Sequence, residues 1–208
     1  MKNLLLFLLL LAIGGAGFDL AAQDSRLELR LFAVSSGASA IFSRHTQGTE
    51  TFYYDGGGVG ARISGDRLSL SYISGNSNLV SATDSSADVS IDMRYSGECK
   101  TTQTALEHSW YSDKPQARSQ WTFALGAGVM NLDCTNRNLD DGTLLNYSAR
   151  SSVLTLSLDY IFSGSFFMGM QTTSGIGSAK VHYPDPKSEQ RYKSVYIGQA
   201  ALVAGLVF

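Results

Sequence analysis

Leu27, Leu29 and Leu31 alternate with Arg26, Glu28 and Arg30, so a strand here puts every leucine on one face and every charge on the other. The same two-residue period returns along the whole chain. Val59, Ala61 and Ile63 share a face with Arg62 opposite, and after a tight turn at Gly65-Asp66 come Leu68, Leu70 and Tyr72. Leu106 and Trp110 face away from Glu107 in a strand predicted over Thr102 to Tyr111. A turn at Ser112 to Pro115 leads to Trp121, Phe123, Leu125, Ala127 and Val129 on one outer face. Leu154, Leu156, Leu158, Tyr160 and Phe162 point away from Asp159, and Ser163 to Ser165 turns the chain into Phe166 to Met170. The run from Ser194 to Phe208 puts Tyr196, Gly198, Ala200, Leu202, Ala204, Leu206 and Phe208 on one face, without Lys, Glu or Pro. In a soluble protein so long an uncharged strand invites aggregation at its edge. A closed barrel in a bilayer has a use for it, because the last strand pairs with the first and meets lipid at every second residue.

Connection lengths carry the prediction further. Short connections around Gly65, Lys114 and Gly164 alternate with polar regions at 35–55, 75–101, 132–146 and 176–192, read as long loops. That rhythm predicts an all-β fold, an eight-stranded antiparallel up-and-down transmembrane β-barrel with short periplasmic turns and long extracellular loops. Val89 to Tyr95 also alternates, but a ninth crossing would put the C-terminus outside, so it is expected as an extension within the second loop. Ten strands is the alternative. Trp110, Trp121, Tyr160, Phe162, Phe166 and Phe208 gather beside the short turns or at the terminus, where a periplasmic aromatic girdle sits.

Composition fits this picture. Charged residues make up 16% of 208 residues, Gly is abundant at 21 and Pro scarce at 3. A net charge of -2 leaves no electrostatic footprint for nucleic acid. Met1 to Asn3 followed by the apolar Leu4 to Ile13 reads as a secretory signal peptide, too short to span a bilayer. Ala21-Ala22 predicts cleavage after residue 22, with a cut after Ala16 as the alternative, leaving 23–208 as the barrel domain.

The Phe208 ending, the Ala124-Leu125-Gly126-Ala127-Gly128-Val129 strand before a polar region, and the turn-and-loop rhythm resemble the small OmpA-like, OmpW-like and opacity-type outer-membrane barrels. The resemblance implies that Phe208 serves as an assembly signal for the barrel assembly machinery. It also implies contact with outer-membrane lipid and lipopolysaccharide, and a host or surface ligand met by the outside loops.

Motifs for specific chemistry are sparse. Gly56 to Ala61 fits G-x-G-x-x-A but lacks the flanking strand and helix of a dinucleotide site, so no cofactor is expected. The amide-rich run Asp133 to Gly142 lacks the spacing and closing Glu of a calcium loop, and His45, His108 and His182 lie far apart. Barrels of the lipid A palmitoyl transferase type use a His from the first outer loop and an Asp-Ser pair from the second. His45 and Asp84-Ser85 occupy those regions without surrounding similarity, and the chain reads as a non-enzyme.

The inward positions say more. Glu28, Arg30, Arg62, Glu107 and Asp159 form a predicted lumen network, with Gln171 and Gln199 also inward and Arg26 and Arg67 at the rim. Cys99 and Cys134 sit at the loop ends of neighbouring strands, which predicts a disulfide stapling the second and third outside loops. The expected function is structural, adhesive or surface-interacting. The alternatives are a small channel or apolar-solute transporter and, behind it, a lipid A-modifying enzyme.

Overall fold

Among the described residues nine strands carry the fold: β1 (Leu27–Ser43), β2 (Thr49–Gly65), β3 (Leu68–Ser86), β4 (Val89–Met93), β5 (Tyr95–Tyr111), β6 (Gln120–Asn138), β7 (Leu144–Phe162), β8 (Phe166–His182) and β9 (Glu189–Val207). The computed structural model describes residues 27–43, 48–65, 67–86, 89–112, 119–162, 165–182 and 189–208. Arg26, His45 and the signal segment 1–22 lie outside them. Every pairing is antiparallel, and eight strands close into a barrel through β1 with β9 and β2 with β3. The short β4 pairs only with the upper end of β3, so it extends a hairpin and does not cross.

The register fixes the barrel's geometry. A row of partners starting at Arg30 passes through Arg62, Ser71, Ala105, Gly128, Val153, Gly175 and Ile197 and returns to β1 at Ala40, ten residues further along. A stagger of ten over eight strands corresponds to a tilt of about 40° and an interior that side chains can fill.

The predicted long loops are corrected by this register. Regions 35–55, 75–101, 132–146 and 176–192 are mostly strand, and between strands only 44–48, 87–88, 94, 139–143 and 183–188 remain. Most polar residues there point outward from the wall, while Ala38, Ala40, Phe42, Phe52, Tyr54, Tyr147 and Val181 point inward and are buried, together with a few polar residues such as Thr51, Thr101 and Asn136. The alternation continues, but its phase relative to the core is reversed. On β7 the outward residues run Phe162, Tyr160, Leu158, Leu156, Leu154 and then Ser152, Arg150, Ser148. The apolar part covers a rise of ~20 Å along the barrel axis, in line with a lipid-facing band. Asp55, Lys100, Asp133, Arg150 and Lys180 are exposed above it. The upper part of each long strand therefore stands clear of the hydrocarbon as a water-facing extension with its own apolar core.

Candidate functional site: the lumen and the wall

At the periplasmic end the lumen holds a charge network. Arg30 Nε donates to Glu28 at 2.5 Å and its Nη1 to Asp159 at 3.0 Å, while the guanidinium lies 5.3 Å from the Phe167 ring centre. Arg62 also donates to Asp159, at 2.5 Å, and to Ser157 at 3.2 Å, and it sits 3.0 Å from Glu107. Ser71 and Thr155 donate to Glu107 at 3.2 and 3.3 Å. The five predicted residues thus meet in one cluster. Two guanidinium groups face three carboxylates, and all but Glu28 are buried. Such charges are tolerated in a dry interior because each has a partner. Arg67 is exposed and stands apart from the network.

Above the charges lies a polar layer that the sequence reading identified only in part. Thr173 donates to Gln103 at 3.2 Å, and the neighbouring Gln171 amide is buried without a hydrogen-bond partner. Higher still, the core of the extension packs Phe42, Phe52, Met130, Leu132, Val195 and their neighbours. Phe42 meets Phe52 and Tyr147 edge-on at 5.7 and 4.8 Å. One polar triad is embedded there: Asn136 donates to Tyr54 at 2.8 Å and Tyr147 donates to Tyr54 at 2.8 Å. No sequence signal pointed to this triad, since Tyr54 and Asn136 lie in runs that looked like loops.

Cys99 and Cys134 are bonded, directly opposite in the β5–β6 register and both buried in that core. The bond lies inside the wall and does not join two loops. The β5–β6 register runs from Tyr111 opposite Thr122 up to Cys99 opposite Cys134, so the two cysteines lie at the same distance from the end of the hairpin ladder.

Other candidates come apart. Ser85 faces Ser90 in the β3–β4 hairpin, with their hydroxyls 3.4 Å apart, and His108 meets Trp110 edge-on at the opposite end of the molecule. Among the described residues no cluster of His, Cys, Asp and Glu could hold a metal. Gly56 and Gly58 are strand residues packed against β3, not a phosphate loop. In the Asp133 to Gly142 run, Arg94 pairs with Asp140 at 3.1 Å. The Thr143 N–H donates to Asp141 at 2.8 Å and holds its carboxyl below the usual range. Around the periplasmic end Trp121, Tyr160, Phe162 and Phe166 form a chain of ring contacts at 4.9, 4.6 and 5.8 Å.

No family model matches the chain, and no curated protein matches it. Solved structures do. A major outer membrane protein from Thermus thermophilus aligns over 86% of this chain and 99% of its own, with TM-score 0.52 and 11% identity. OprG from Pseudomonas aeruginosa aligns over 86% and 96%, with TM-score 0.49 and 12% identity. The attachment invasion locus protein Ail of Yersinia pestis aligns over 88% and 99%, with TM-score 0.46 and 12% identity. At these identities the likeness speaks for the fold alone. The chain has the fold of the eight-stranded bacterial outer-membrane barrels.

Proposed function

We propose that this protein is a closed, non-catalytic barrel whose rigid outer extension serves as a structural and surface-interaction module. The observation that carries this reading is the filled lumen. Charge network, glutamine layer and aromatic core follow one another along the lumen, and their side chains, Glu28 apart, are buried. The surface offered to the environment is chiefly the polar outer wall of the strands and only secondarily the short connections. In planar bilayers the purified barrel is expected to give no steady single-channel conductance. Reproducible ohmic steps would refute the closed-barrel reading and favour the channel.

The proposed assembly role of Phe208 has a structural complication. Its N–H donates to Leu29 O at 2.8 Å and its carbonyl accepts from Leu29 N at 3.1 Å, so it also closes the β1–β9 seam. Phe208→Ala keeps those backbone bonds and removes only the ring of a residue that is 66% exposed. Outer-membrane levels several-fold below wild type are expected, with unchanged unfolding of the molecules that do assemble. Wild-type levels would leave Phe208 with the seam role only.

A further inference from the structure

The outer wall has a groove at the upper edge of the apolar band. It holds about 800 Å³ and runs across β6, β7, β8, β9 and β1. Its floor is made of small outward residues, Ala127, Ser174, Gly198 and Ser39, which are successive neighbours through Leu154 in the register. Gly128 and Gly175 face inward behind this floor, where the backbones pack so closely that a Cβ on either would collide with the carbonyl oxygen of Thr104 or Ser152. Leu154, Ile176 and Tyr196 border the groove, and all three are about half exposed or more.

Positive charge stands directly above this apolar trough. Arg150 is the next outward residue after Ser152 on β7, and Lys180 follows Ile176 and Ser178 on β8. Arg150 pairs with Ser178 and Ser148 with Lys180, so the two cations are diagonal neighbours, ~7–8 Å apart at the backbone. Arg191 of β9 falls opposite Lys180 in the register. Two acids stand diagonal to these cations in the register: Asp133 of β6 to Arg150, itself directly opposite Lys100 of β5, and Glu189 of β9 to Lys180.

We propose that this groove is a binding site for one phosphorylated, multiply acylated lipid of the outer leaflet. Acyl chains lie against Leu154, Ile176 and Tyr196, and a phosphate rests between Arg150 and Lys180. A trough at the membrane edge with two cations over it matches an amphiphile with chains below and an anion above, as a free phosphate or a soluble peptide does not. The inference depends on the outer-membrane position and is independent of whether the lumen conducts.

The test uses the whole barrel in mixed micelles. The probes are bisphosphorylated hexa-acyl lipid A, its dephosphorylated form and phosphatidylglycerol, with retained lipid counted by native mass spectrometry. Wild type is expected to retain one lipid A per barrel, and R150A/K180A to bind it at least tenfold more weakly. Ser174→Phe, which fills the floor without touching the charges, is expected to lose retention as well. Heat-dependent gel migration identical to wild type shows that both variants are folded. Equal lipid A retention by wild type and R150A/K180A overturns the proposal. So does retention of phosphatidylglycerol or dephosphorylated lipid as strong as that of lipid A. A dimer that buries the groove in sedimentation experiments also overturns it.

Discussion

Replacing Arg62 with alanine is expected to destabilise the barrel by about 3–5 kcal/mol, the cost of breaking a buried ion pair from one side. Arg62 bonds to Asp159 and lies against Glu107, and both acids are buried. Without it, among the described residues Asp159 keeps Arg30, and Glu107 keeps the hydroxyls of Ser71 and Thr155. Urea unfolding of the reconstituted protein measures the loss. Adding Glu107→Gln to the alanine variant is expected to restore part of the stability, because a neutral amide no longer leaves a buried charge unpaired. A single variant as stable as wild type would mean that water reaches the cluster and that the lumen is not closed there.

Loss of the Cys99–Cys134 bond is the second large effect. It closes a segment with a sequence separation of 35, and by loop entropy its removal costs ~3–4 kcal/mol. Cys99→Ala/Cys134→Ala adds a packing loss in the apolar extension, where both cysteines belong to the same buried cluster as Met130, Leu132 and Tyr147. The expected outcome is a lower unfolding midpoint for reduced wild type and a lower one again for the double variant. Lipid-facing surface is untouched, so membrane insertion should persist. Labelling of the unreduced, denatured chain that finds two reactive thiols would rule the bond out.

The lower half of the barrel was legible because its two faces differ sharply in polarity. Leucines at 154, 156 and 158 set against Asp159 give both a lipid face and a lumen face, and hydrogen-bonded pairing then brings Arg30, Arg62 and Glu107 to the same level. The upper half was misread for a reason visible in Ser35 to Asp55. Small and polar residues fill the outward positions, while the buried ones include Ala38, Ala40, Phe42 and Phe52 in a run dominated by Ser, Gly and Thr. Composition resembled a loop, and only strand register reveals which alternate residues are packed. The triad of Tyr54, Asn136 and Tyr147 was invisible because its members come from three strands, far apart in sequence. The groove was hidden for a related reason: its floor is assembled by register from four strands, and Lys180 above it belongs to a run read as a loop.

The reversal of polarity partway up each strand has one more consequence: it gives the barrel a waterline. If the molecule sank by one pair of residues, Arg150 and Asp133 would approach the acyl chains, at a cost that grows with depth toward ~2–4 kcal/mol for a midplane cation. If it rose by the same amount, Leu27, Trp121 and Phe162 at the lower rim would leave the bilayer for water. Both displacements are resisted, so the draught of the barrel is set by its own wall and not by a partner. A bilayer of different thickness must bend to meet it.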